Sequence, residues 1–112
     1  MTYQELLGEL KRLNIDEIRT DTTTFFEFTI NTGLSDQLQN TLESYFGIAF
    51  KPAGSRPNKD AQKVTESMGG IRENQTLYLL EEDQNLNCAM IWPWSDGQTA
   101  TVKLAQYERK QS

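Results

Sequence analysis

The side chains best suited to chemistry are largely missing from this sequence. None of its 112 residues is histidine, which removes the commonest general base, the commonest metal ligand and every Ser–His or Cys–His pairing. Cysteine occurs once, as Cys88, so the usual zinc sites and any internal disulfide are excluded. Cys88 falls in the apolar run "LNCAMIWPW". No base nearby in sequence lowers its pKa, and a thiol in such a run behaves as a small hydrophobe rather than a nucleophile.

Carboxylates are the remaining route to catalysis. Glu27 sits among phenylalanines in "FFEFT", where a raised pKa would suit a general acid or base. Strict alternation instead turns it to solvent on the open face of a half-covered sheet, which is the expectation for Glu27. Asp16, Glu17 and Asp21 read as surface charges. Asp83, Asn85 and Asn87 have the one-three-five spacing of a calcium loop. However, Cys88 stands at the sixth position, where glycine is required, and Trp94 at the twelfth, where a glutamate belongs. A solvated hairpin turn is the expectation there. No metal and no cofactor is implied by any motif.

Charge is unevenly spread. The net charge is −5, which disfavours non-specific nucleic-acid or anionic-membrane binding. Residues 51–72 run against this trend, with five bases against two acids. Lys51, Arg56, Lys59 and Lys63 precede or open a helical pattern, so a small anion would meet local attraction there. The segment lacks the Gly-Lys-Ser/Thr of a phosphate loop.

Aromatic side chains offer a different kind of function. Trp92 and Trp94 flank Pro93. In a strand Cys88, Met90, Trp92 and Trp94 share one side, and Ala89, Ile91 and Pro93 the other. Pro93 cannot donate to a ladder, so it marks the end of regular pairing or an edge. Trp92 is then expected in the core, and Trp94 at the rim as an anchor for recognition. Tyr78 and Leu80, on the second face of "QTLYLLEE", are expected to join Trp94 in a partner-binding surface.

The elements that would position these residues read as follows. "TYQELLGELKRL" is an amphipathic helix, with Tyr3, Leu6, Leu7, Leu10 and Leu13 on one stripe; Thr2 and Glu5 have capping-box spacing, and Asn14 ends it. "IDEIRTDTTT" is a loop or a weak strand. "TFFEFTIN" is a strand that puts Phe26, Phe28 and Ile30 together. Ser35 caps a second helix, which buries Leu38, Leu42, Tyr45 and Phe46 and stops at Gly47. "GIAFKP" is an optional short strand, and Pro52–Lys59 a loop. "DAQKVTESMGG" is a short helix capped by Asp60. Three antiparallel strands follow, the last two joined at Asp96-Gly97.

The order α-β-α-(β)-α-β-β-β over residues 1–112 predicts a single α+β domain with a mainly antiparallel four- or five-stranded sheet and helices packed on one face. Five Phe, four Tyr and two Trp argue against disorder. No apolar run reaches the length of a membrane span, and the charged N-terminal helix has no apolar signal core, so a cytoplasmic location without membrane attachment is expected. The sequon at Asn74–Thr76 carries no weight in that setting.

The functional expectation is a small acidic, non-enzymatic accessory module that binds a protein partner or forms a homodimer. The alternative is a binder of an anionic small ligand or single-stranded nucleic acid through residues 51–63, with nucleic acid disfavoured by the overall charge. An enzyme working through carboxylates alone, or with a divalent metal, ranks last.

Overall fold

The computed structural model describes residues 1–82 and 84–108; the calcium-loop candidate Asp83 lies outside them. The elements run α1 (Tyr3–Lys11), β1 (Glu17–Asp21), β2 (Phe25–Asn31), α2 (Ser35–Phe46), α3 (Lys59–Thr65), β3 (Thr76–Glu82), β4 (Asn85–Pro93) and β5 (Thr99–Glu108). The strands form one sheet in the order β1-β2-β5-β4-β3, antiparallel throughout. The expected α+β class, with its antiparallel sheet, is what this chain adopts.

Local chemistry explains most boundaries. Thr2 accepts a hydrogen bond from the Glu5 N–H at 3.1 Å, and the Thr2 N–H returns one to Glu5 Oε1 at 3.3 Å, the reciprocal capping box. α1 ends at Lys11 with Arg12 as its C-cap, two residues before the expected stop at Asn14. At α2 the stop at Gly47 holds, with φ 78°. The start differs, because Asn31 accepts from the Gly33 N–H at 2.7 Å and caps a 3-10 turn, Thr32–Leu34, that leads into the helix. Ser35 is therefore the first helical residue rather than the cap. At α3 the cap is Asn58, which accepts from the Ala61 N–H at 2.8 Å, and Asp60 lies in the first turn, where a carboxylate complements the helix dipole.

The fifth strand comes from β1, the segment that read as loop or weak strand. "GIAFKP" contributes only a bridge between Lys51 and Leu77. At the β4–β5 turn Asp96 Oδ1 accepts from the N–H groups of Gln98 and Thr99 at 2.9 and 3.0 Å, and Gly97 takes φ 71°. The bond from Gln98, with those from Thr99, holds the Asp96 carboxyl below the ordinary aspartate range.

Register divides the sheet into two faces. Phe26 and Phe28 of β2 stand opposite Leu104 and Val102 of β5. With Ala89 and Tyr78 they bury against Leu6, Leu7 and Leu10 of α1 and Leu38, Leu42 and Phe46 of α2. Each fully buried side chain of this size contributes about 1.5–3 kcal/mol. α1 and α2 thus share one face, as expected. α3 differs by lying on the other. Its Ala61, with Met68 and Ile71 beyond it, packs on Leu77, Cys88, Met90 and Ala105, which alternate with the residues facing α1 and α2. The reason is that β3, β4 and β5 carry apolar residues at both alternating positions, so each face there needs a cover.

Candidate functional site

On the face that α3 covers in part, the buried strand residues under it belong to β3, β4 and β5. Toward β1 and β2 the same face carries Glu27, Thr29, Thr101, Lys103, Trp92 and, just past the end of β4, Trp94. Trp94 is 41% exposed, yet it is held at two points. Its Nε1–H donates to Thr101 Oγ1 at 2.8 Å, and the Arg19 guanidinium lies 5.6 Å from the ring centroid. Arg19 sits at the β1 irregularity and also reaches Glu17 and Glu27, at 3.7 and 3.9 Å.

Trp92 lies one step toward α3. The Lys103 Nζ is 3.6 Å from its ring centroid and donates to the Met68 carbonyl at 3.4 Å. Such cation–ring contacts are worth about 0.5–2 kcal/mol each, more as they lose water. Their role here is positional, since two aromatic rings are fixed in orientation across the strands. Trp92 is only partly buried, at the margin of the cluster under α3, so the expected contrast between a core Trp92 and a rim Trp94 is one of degree.

Glu27 is half-buried beside Arg19 rather than pointing freely into water. Its closest charged partner is the Arg19 guanidinium, which it shares with Glu17, so it is an ion-pair member. Cys88 is fully buried, and burial pushes its thiol up to about 12, which keeps it protonated and unreactive at neutral pH. Among the described residues no group of three acidic or cysteine side chains gathers to hold a metal ion.

The remaining candidates are dispersed. Tyr78 was expected on an open face; it is 2% exposed and sits under α2, its ring 5.8 Å from that of Phe46. Leu80 packs against the same cluster. Both follow the alternation of β3 correctly, but α2 covers the face to which they point, so neither can join Trp94. Lys51, expected to meet an anion, is 3% exposed. Its Nζ donates to the carbonyls of Pro52 and Glu73, at 3.0 and 2.8 Å, and to that of Gln75, while its backbone pairs with Leu77. All three ammonium donors are thereby used, and burial lowers its pKa. It fastens the loop after α2 to the start of β3. Arg56, Lys59 and Lys63 are exposed; Lys59 and Lys63, four apart on α3, share a side, with Asp60 beside Lys59.

The sequence pattern marks none of Arg19, Thr101 and Lys103 as site residues. Alternation alone puts Lys103 and Thr101 on one strand face, which is the available signal. Their meeting with Arg19 and Glu27 depends on β2 lying beside β5, and no local pattern encodes that. No protein-family model matches the chain, and no curated protein or solved structure shows a significant match to it.

Proposed function

We propose that this chain is a non-enzymatic binding module that holds a protein partner on the sheet surface around Trp94, Arg19 and Glu27. The observation that carries the reading is the combination at Trp94 of an exposed ring with a fixed orientation. An immobilised aromatic loses little rotamer freedom when a partner covers it, and Trp and Arg are the residue types most enriched at binding hot spots. Arg19 and Glu27 supply one charge of each sign beside the ring, suited to the mixed polar rim of a protein interface. A buried protonated thiol and the absence of imidazole favour holding over transforming. The free thiol also fits a reducing, cytoplasmic setting.

Affinity capture with the unaltered chain, Trp94→Ala, Arg19→Ala and the remote Lys59→Ala tests this. Loss of the same partner from the first two variants and its retention by the third is the expected result. An identical set of partners for all four chains sinks the reading. Light scattering on the purified chain separates a distinct partner from a second copy, since a homodimer abolished by Trp94→Ala would make the partner the chain itself.

A further inference from the structure

The segment that follows α2 is pinned at both ends. At one end Gly47, with φ 78°, closes the helix, and its N–H donates to the Glu43 carbonyl at 2.9 Å. At the other the Lys51 N–H donates to the Leu77 carbonyl at 3.1 Å, and the Leu77 N–H returns the bond at 2.9 Å. Ile48, Ala49 and Phe50 lie between these pins. Ala49 packs inward against the cluster under α1 and α2. Its two neighbours turn outward, Ile48 with 89% of its surface exposed and Phe50 with 44%. Two of the five large apolar side chains exposed among the described residues therefore fall within three positions, on a backbone that is held in place.

Beside them is an open groove of about 340 Å³, in which Phe50 meets Val64 of α3, Leu79 of β3 and Leu86 of β4. Val64, Leu79 and Leu86 each remain partly accessible, so the chain does not close this apolar corner by itself. Asp60, Lys63 and Glu81 complete the lining and give it charges of both signs. The volume corresponds to roughly eleven water-sized groups, ample for one branched aliphatic side chain. Apolar side chains scattered singly over a surface are ordinary, whereas a contiguous group rimmed by polar residues marks an interface. Ile48 is so accessible that it adds almost nothing to the core of its own chain, and a polar residue would serve the connection from α2 equally well.

We propose that this corner is the interface of a homodimer, in which Ile48 of each copy enters the groove of the other. A two-fold contact needs a projection and its recess on the same patch, because whatever one copy gives it must also receive. Ile48 stands two positions from Phe50, which lines the groove, so a two-fold axis passing beside Phe50 seats both isoleucines at once. The rim suits the same occupant. A rim of one sign would repel its own copy, whereas Lys63 together with Asp60 and Glu81 lets two copies set opposite charges against each other. The pinned backbone limits the freedom lost when Ile48 is covered. None of Arg19, Glu27 or Trp94 lines the groove, so this interface and the partner surface stand or fall separately.

Sedimentation equilibrium of the intact chain, from micromolar to millimolar concentration, is expected to show a reversible monomer–dimer equilibrium. Ile48→Asp is expected to raise its dissociation constant at least about a hundredfold, because the change falls twice in one interface and sets a carboxylate over each apolar groove. The same substitution should leave thermal unfolding of the dilute monomer unchanged, since the side chain is almost fully accessible. Lys63→Glu, which leaves the rim with one sign, is expected to weaken the dimer about tenfold at low salt and less at high salt. Trp94→Ala should leave the equilibrium as it is. Three results overturn the proposal: a monomer at every concentration, a dimer undiminished by Ile48→Asp, or a dimer abolished by Trp94→Ala, which would move self-association to the surface around Trp94.

Discussion

The two faces of the sheet are built from the same strands yet resolved differently. Under α1 and α2 the strand residues are Phe26, Phe28, Ile30, Val102 and Leu104, all essentially inaccessible, and two helices supply a matching apolar stripe each. On the other face α3, only seven residues long, meets Leu77, Cys88, Met90 and Ala105. The remainder is closed by Trp94 on a threonine hydroxyl, by cations against rings and by Glu27 with Arg19. The contrast shows where stability and recognition can be separated in one sheet. Substitutions on the first face remove buried volume, whereas those at the β1–β2 end of the second remove contacts that water can largely replace.

Substitutions can break that contrast or sharpen it. The largest effect is expected from Phe28→Ala, about 3–5 kcal/mol of destabilisation by denaturant unfolding; a cost near that of a surface change would show that α1 and α2 do not seal this face. Lys51→Ala is expected to cost about 1–3 kcal/mol, because three carbonyls lose a buried donor. It should do so with little change in affinity for polyanions, and a large loss of polyanion binding would return Lys51 to the role expected from sequence. Gly69→Ala should cost more than about 1 kcal/mol through its left-handed φ and its approach to Trp92, accompanied by a shift in Trp92 fluorescence. Trp94→Ala is expected to cost about 1–2.5 kcal/mol of stability, the sum of one hydrogen bond and one cation–ring contact, while carrying the whole loss of partner binding.

A pH titration tests the buried side of the comparison and is silent near neutrality. Burial raises the Cys88 thiol to about 12, and burial, with a bond to Glu82, raises the Tyr45 hydroxyl to about 12. In the unfolded chain these groups ionise near their ordinary values of 9.0 and 10.0. Their contribution is therefore complete below about pH 9 and is lost as pH rises toward 12. Thermal unfolding should hold steady to pH 9 and then decline, and Cys88→Ala should reduce the early part of that decline. A flat profile to pH 11 would mean that Cys88 is not buried as described.

Much of the fold was legible because it is locally encoded. The capping box at Thr2 and Glu5, the glycine stop at Gly47, the Phe26–Phe28–Ile30 stripe and the Asp96-Gly97 turn are all patterns within a few residues. The side of the sheet that α3 takes was less so, since it depends on apolar residues at both alternating positions of β3 and β4. The candidate site was legible only at Trp94. The pattern points Tyr78 and Leu80 to an open face, because a strand shows its alternation but not which side a distant helix will cover. Lys51 read as a free cation because composition counts charges without their acceptors, and the acceptors are carbonyls some twenty residues on, around Glu73 and Gln75.

The pairing of β2 with β5 sets an order of events for the molecule. Asn31 must find Thr99 and Phe25 must find Ala105, with two helices and a hairpin between them in the chain. Until β5 arrives, the β1–β2 hairpin has no neighbour on its inner side, and Phe26 and Phe28 lack their cross-strand neighbours Leu104 and Val102. Such long-range closure slows folding relative to locally paired sheets. The seam between β2 and β5 therefore ties the two ends of the described chain into one cooperative unit, so a change at Val102 or Leu104 should be felt at Phe26 and Phe28.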